Sequence, residues 1–215
     1  MQPVYGERAL RWGRTLILAD LHIGIESELK KFGVFVPNQY EKIRSRIISL
    51  IESTKAKRII LLGDVKHNIP SSTIEEYKNI PKLLDELSSL VEVLIIKGNH
   101  DGNLEKLVQK YEVLKEFREG KVLFTHGHRK IDLCDEIDTY VIGHFHPCVE
   151  FIDKNGIKIK EAAWIRGEFK NKSKFIILPA FNELIEGISF KKIELRYVEK
   201  KSVKTYLLDG TYLKI

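Results

Sequence analysis

Two cysteines among 215 residues, Cys134 and Cys148, stand in no CxxC or CxxH spacing. That excludes a disulfide framework and a thiolate zinc site and leaves free thiols. No window approaches the roughly 20 consecutive apolar residues that cross a bilayer, and the opening MQPVYGERALRWG lacks the apolar run of a secretory signal. A soluble, cytoplasmic protein without membrane contact is expected. Linkers rich in Pro, Gly or Ser are missing, as are internal repeats and low-complexity tracts, so residues 1–215 are expected to form one domain that buries a full core. The single Met beside abundant Lys, Glu and Ile also suits a heat-adapted source.

Acidic residues are scarce in one region. From Lys154 to Lys204 there is no Asp and there are six Glu against 13 Lys and Arg, a local charge of +7; the whole chain carries +6, so the remainder sums to −1. A clustered basic region fits a polyanion through release of counterions from its phosphates, although lysines that only keep a surface soluble leave the same trace. Lys170, Lys172 and Lys174, in EFKNKSKF, are the expected substrate contacts.

What is present is a recurring pattern in which an apolar run ends abruptly in a polar cluster. RTLILADLHIG puts Asp20 and His22 past Leu16 to Ala19, and RIILLGDVKH puts Asp64 and His67 past Ile59 to Leu62. VEVLIIKGNHD ends in Asn99, His100 and Asp101, KVLFTHGH in His126 and His128, and YVIGHFHP in His144 and His146. Continuous Val/Ile/Leu runs of this length read as strands buried on both faces, which places their polar ends along one rim. Between the first three runs lie helical patterns. VPNQYEKIRSRIISLIESTK has Pro37 where a first turn tolerates it and Ile43, Ile47, Leu50 and Ile51 on one face. SSTIEEYKNIPKLLDELSSL carries a capping signature ahead of Glu75 and Glu76, with Pro81 expected to split or kink the helix. Such alternation implies right-handed parallel crossovers. Beyond about residue 112 short strands and Gly-bearing turns predominate, so two stacked sheets are expected.

Ligands of open parallel sheets sit beyond the carboxyl ends of the strands. The side chains gathered there would be Asp20, His22, Asp64, Asn99, His126, His144 and His146. Carboxylate, imidazole and one amide without sulfur suit borderline or harder divalent ions such as Mn, Fe, Zn or Ni. One shared carboxylate could bridge two ions at about 3.5 to 4 Å, the spacing of two-metal hydrolytic sites. A single Asp-x-His at a strand end is ordinarily a turn with a surface histidine. Five clusters, each at a strand end and together holding all seven histidines, are hard to assign to turns.

In order and spacing, DLH (Asp20 to His22), GD (Gly63, Asp64), GNHD (Gly98 to Asp101), HGH (His126 to His128) and GHFH (Gly143 to His146) resemble the motifs of the calcineurin-like metallophosphoesterases. The resemblance implies a four-layer α/β/β/α sandwich of two mixed β-sheets flanked by helices, with a dinuclear metal site. By the same resemblance, one ion falls to Asp20, His22 and His146 and the other to Asn99, His126 and His144, with Asp64 bridging and His100 as the acid at the leaving group. GDVKH places His67 three residues after Asp64, similar to the nuclease subunits of double-strand-break repair complexes, the SbcD and meiotic-recombination-eleven group, where this His pairs with the His of GNHD. DLHIGIE and LPAFNELIEG (Leu178 to Gly187) agree with the smaller stand-alone relatives of that group, including the bacterial ligase-associated endonuclease. Nothing resembles the long capping domain or the ATPase-binding tail of the repair subunits.

A hydroxide shared by two divalent ions is a usable nucleophile at neutral pH. The expected activity is therefore metal-dependent hydrolysis of a phosphodiester, with DNA or RNA as substrate and a DNA-repair setting. Manganese is expected first, with nickel, iron or zinc as alternatives, and a homodimer fits the family habit. His100 would donate a proton to the leaving alkoxide, with His67 or Asp101 orienting it, while Asp101 could instead hold its loop through backbone amides. Two rivals are a small-molecule phosphodiesterase or phosphatase and a non-catalytic scaffold of the same fold. The scaffold would have lost ligands or the acid His, and every one of those positions is intact.

Overall fold

The computed structural model describes residues 1–214. The apolar runs become strands and the periodic segments between them become helices. The first sheet holds β1 (Gln2–Pro3), β2 (Leu10–Trp12), β3 (Thr15–Leu18), β4 (Arg58–Leu62), β5 (Glu92–Ile96) and β6 (Val113–Leu114), in that spatial order, with β3 to β6 parallel. Its connections carry α1 (Ile25–Lys31), α2 (Tyr40–Thr54), α3 (Ile74–Leu90) and α4 (Leu104–Leu107). Successive side chains of a strand go to opposite faces. Leu16, Leu18, Ile59, Leu61 and Ile95 pack with the apolar faces of α2 and α3, while Ile17, Ile60, Leu62 and Ile96 pack against the second sheet. Burial on both sides is why these strands read as unbroken Ile/Leu runs.

The second sheet comprises β7 (Glu116–Glu119), β8 (Val122–Thr125), β9 (Thr139–Ile142), β10 (Pro147–Ile152), β11 (Lys158–Glu168), β12 (Lys174–Ile177), β13 (Ile188–Ser189), β14 (Lys204–Leu207) and β15 (Tyr212–Leu213). Its order is β13-β10-β11-β12-β9-β8-β7, with β14 on β11 and β15 on β14. β8, β9 and β12 are parallel and in register, Thr125 beside Ile142 and Ile142 beside Ile177. Phe124, Val141, Trp164 and Ile176 fill the space between the sheets. On the outer face Tyr140, Ile142, Ile165 and Phe175 are covered by Ile131, Leu133, Ile193 and Leu195, from loops that contain short 3₁₀ turns at Phe190–Lys192 and Lys200–Ser202. The fold is thus two mixed sheets face to face with helical layers outside, the second of them thin.

Two local expectations change. Pro37 lies outside α2, which starts at Tyr40, because Asn38 closes the preceding turn by accepting the Tyr40 amide at 2.8 Å and the Glu26 carboxylate takes the Gln39 amide. Pro81 does not split α3; the helix runs through it to Leu90. The carbonyl it leaves without an amide partner belongs to Tyr77, which is exposed and can be hydrated. The capping signature is present: the Thr73 side chain accepts from the Glu76 amide while the Glu76 carboxylate accepts from the Thr73 amide. No helix of the described residues is long and apolar enough to cross a membrane. Cys134 and Cys148 are both free.

Candidate metal centre

The two sheets bring their carboxyl-terminal strand ends to one rim, so the loops after β3, β4, β5, β8 and β9 meet there. Asp20, His22, Asp64 and His126 are buried, and His144 and His146 are partly buried. Asp20, His22 and His146 form one group whose ligand-capable atoms all lie within 4.8 Å of one another, and Asp64, His126 and His144 form a second. Asp64 Oδ2 sits between the two, 3.6 Å from His22 Nε2 and 3.5 Å from His126 Nε2. Asp20 Oδ1 lies 2.9 Å from His126 Nε2 and 3.2 Å from His146 Nε2. His22, His67 and His100 form a third such group. Asn99 is the exception among the expected ligands: it is exposed, and its carboxamide makes no hydrogen bond among the described residues.

Backbone geometry marks this rim. Asp20, His22, Asp64, His144 and His146 all adopt positive φ, from 41° to 68°. At roughly 1–2 kcal/mol for each non-glycine residue in that region, the five together cost about 5–10 kcal/mol, the size of a whole domain's stability. Surrounding bonds enforce it. The His22 amide donates to the Asp64 carbonyl at 2.8 Å and the Asp20 amide to the Gly63 carbonyl at 3.1 Å. The His100 amide donates to Asp64 Oδ1 at 2.8 Å, and the His144 amide donates to the Asp20 carboxylate at 3.1 Å. Two glycines allow the close approach: a Cβ on Gly98 would lie 2.0 Å from Asp64 Oδ1, and one on Gly63 would lie 2.3 Å from the His126 ring.

Electrostatics follow burial and neighbours. Burial pushes the Asp20 carboxyl up, but the charge of nearby His146 and the hydrogen bond and charge of His126 together hold it well below the usual carboxylate range. Burial raises Asp64, opposed by His126 and reinforced by the nearby Asp20 charge. Burial keeps His22 well below its ordinary value and brings His144 down to about 4, so both imidazoles are neutral with a lone pair to give. His126 moves the other way, since the hydrogen bond it donates to Asp20 and the charges of Asp20, Asp64 and Asp101 outweigh its burial. A cation entering there must displace that proton, as metal binding to imidazole generally does. His22 Nε2 and His146 Nε2 are buried without a hydrogen-bond partner, the state in which a ligand nitrogen waits for a metal. Neutral imidazoles, two carboxylates and orphaned nitrogens fit divalent ions of borderline hardness.

His67 is buried and does more than the sequence suggested. Its carbonyl accepts from His100 Nδ1 at 2.5 Å, so the pairing of the two histidines runs through the His67 backbone, with their rings stacked at 5.2 Å. The His67 ring itself lies between other partners: Nε2 is 2.6 Å from Glu28 Oε2, and Nδ1 is 3.1 Å from His22 Nδ1. A carboxylate accepts from Nε2–H, which leaves His67 Nδ1 bare to accept from His22 Nδ1–H, and that fixes His22 with its Nε2 lone pair facing the group. His128 stands in the matching position behind His126, Nδ1 to Nδ1 at 3.1 Å. Asp101 takes the loop-holding role, accepting the Gly98 amide at 2.8 Å and the Lys66 amide at 3.1 Å. Burial, reinforced by Asp64, raises its carboxyl to about 6.

Sequence reasoning missed Glu28, Glu76 and Asn182. Glu28 carries a weak signal, lying six residues past His22 on a short helix. Buried Glu76 accepts the amides of both His67 and Asn68 besides capping α3, so one carboxylate ties the helix to the site loop. Asn182, inside LPAFNELIEG, donates to the Leu21 carbonyl at 2.9 Å, which docks that segment on the Asp20–His22 loop. The expected substrate lysines are not brought to the site. Lys174 is paired with Thr139 at the start of β9, whereas the site follows Ile142 at its end, so Lys170, Lys172 and Lys174 lie at the opposite rim, roughly 10 Å of strand away. A charge count along the chain carries no information about which end of a strand a turn occupies.

Known proteins share this architecture. The nuclease MPE of Pseudomonas putida superposes with a TM-score of 0.64 at 21% identity, over 97% of this chain and 96% of that one, a likeness of fold. The phosphodiesterase YfcE of Escherichia coli (strain K12) is 22% identical over 111 residues, 47% of this chain, and the match spans only 60% of the length of that relative. The profile of the calcineurin-like phosphoesterases matches residues 13–191, which run from β3 and the Asp20–His22 loop past the segment that docks on it. With most of the chain covered, the protein belongs to the calcineurin-like phosphoesterase family.

Proposed function

We propose that this protein is a metal-dependent phosphodiesterase that cleaves DNA or RNA. The observation that carries the reading is Asp64 Oδ2, placed almost equally far from His22 Nε2 and His126 Nε2 between two groups of three ligand-capable side chains. Asp20, His22 and His146 would hold one divalent ion, and His126 and His144 the other, with Asp64 shared and Asn99 turning in from its exposed loop. Manganese is the first choice, with nickel, iron or zinc as alternatives. Two such ions supply acidification of a bound water and charge neutralisation at the phosphoryl oxygens.

The chain's own residues do the rest. His100 donates Nδ1–H to the His67 carbonyl, which leaves Nε2 as the nitrogen whose proton can pass to a leaving alkoxide. The same loop supplies the amide that holds Asp64, so one loop positions both the acid and the shared carboxylate. Burial of Asp20 and Asp64 keeps bulk water from screening the charges that meet the phosphate.

The test assays metal-free protein, reloaded with Mn, Ni, Zn or Mg in turn, against single-stranded DNA, duplex DNA, RNA and bis-p-nitrophenyl phosphate. Cleavage of a nucleic acid by at least one metal form is expected. Hydrolysis of the small ester alone would move the assignment to a small-molecule phosphodiesterase, and metal binding without any turnover would make the protein a scaffold.

A further inference from the structure

We propose that a basic groove beside the metal centre holds the phosphates of the nucleic-acid strand next to the scissile bond; the inference rests on the phosphodiesterase reading above. The groove, of about 650 Å³, lies on the outer face of the second sheet beside β7 and β8 and is lined by Lys97, Lys115, Arg118, Arg129 and Lys130 against two carboxylates, Glu116 and Asp132. At one end it is bounded by Gly98 and His128. Gly98 lies against Asp64, and His128 lies 3.1 Å from His126, so the groove ends beside the group formed by Asp64, His126 and His144.

Three separate stretches supply the cations: the residue after β5, the β6–β7 junction with β7 itself, and the loop after β8. None belongs to the basic region between Lys154 and Lys204. The fold therefore assembles at the site a positive surface that local composition does not announce, while the composition-rich lysines stand at the far rim. Lys97, Arg118 and Lys130 pair with Glu105, Glu136 and Asp132 at the surface. Exposed pairs of this kind hold weakly and can exchange a carboxylate for a phosphate. Lys115 and Arg129 are exposed and have no ion-pair partner among the described residues, which makes them the cations most ready for a polyanion. Leu123, Ile131 and Ile137 give the groove an apolar floor, suited to the sugar faces of a strand whose phosphates meet the walls.

The test is the double variant Lys115→Ala/Arg129→Ala, with oligonucleotide binding and cleavage measured across a salt series beside hydrolysis of bis-p-nitrophenyl phosphate. Losing two phosphate contacts should flatten the slope of log affinity against log salt by about 1.4 on a single strand and about 1.8 on a duplex. The small ester, too short to reach the groove, should keep its rate. Lys115→Ala/Arg129→Lys should restore about half of the lost slope, since one of the two charges returns and a phosphate contact needs the charge more than the fork. Wild-type protein that cleaves nucleic acid while the double variant keeps the full slope would overturn the groove and leave the nuclease reading standing. Wild-type protein that cleaves only the small ester would overturn both. Equal loss on both substrates would show that the pair supports the centre itself and would also overturn the groove.

Discussion

The second sheet has two rims, and they differ in how they treat polar side chains. At the rim beyond β8 and β9, His126 is buried, Asp20 and Asp64 meet it from the first sheet, and five polar residues hold left-handed backbone. At the opposite rim Lys170, Lys172 and Lys174 are exposed and join no ion pair among the described residues. Left-handed backbone alone does not separate the two, because Lys172 also sits at a φ of 68°, in a tight turn that water surrounds. Burial separates them. A turn residue in water needs no partner, whereas the buried carboxylates and imidazoles are unfavourable unless something meets them. Strain and desolvation placed together are what a metal centre repays, and solvated charge is what keeps a surface soluble.

The strongest way to break this contrast is Asp64→Asn. Metal content and turnover should both fall to background, as measured by elemental analysis beside an activity assay. The metal-free variant should keep the thermal midpoint of the metal-free parent, because burial already disfavours the Asp64 charge and Asn still accepts the His100 amide. Two metal equivalents retained with normal turnover would dissolve the shared-carboxylate assignment.

A smaller effect is expected at His100. His100→Asn should keep both ions and slow substrates with alkoxide leaving groups by about 10²- to 10⁴-fold. The loss should shrink for p-nitrophenolate, which departs without help from an acid. Equal losses on good and poor leaving groups would remove the acid role, and loss of an ion would make His100 a ligand.

Glu28 sharpens the comparison further, since it is a surface carboxylate that acts on a buried nitrogen. Glu28→Ala should weaken metal binding by about 10- to 100-fold in calorimetry, the usual scale for a residue behind a metal-binding histidine. Glu28→Gln should recover part of the loss because its amide oxygen can still accept from His67. Unchanged affinity in the alanine variant would mean that His22 holds its orientation without the relay.

The smallest effect belongs to the far rim. Replacing Lys170, Lys172 and Lys174 together by Ala should leave the salt dependence of oligonucleotide binding unchanged, within the error of a fluorescence titration. A slope flattened by one or more would bring that rim into the substrate path.

The sequence by itself determined the strands, the rim and the chemistry of its side chains. An Ile/Leu run that stops at Asp, Asn or His identifies both a buried strand and its end, because each apolar residue has a cheap place inside and each polar one does not. That is why Asp20, His22, Asp64, His126, His144 and His146, which the fold brings together at one rim, stand out in the sequence as one set. Only the tertiary structure decided which groups stand behind them. Glu28 reaches His67 across 39 residues, Asn182 reaches Leu21 across 161, and His128 turns its ring toward His126 while Asn99 stays on the exposed side of its loop. Local composition likewise pointed to Lys170, Lys172 and Lys174, while sheet pairing carried them to the rim away from the ligand groups and brought Lys97, Lys115 and Arg129 beside those groups. The reason is physical. Periodicity and burial are properties of a strand's own residues, whereas a hydrogen bond or a charged groove depends on the register and order in which distant strands pair.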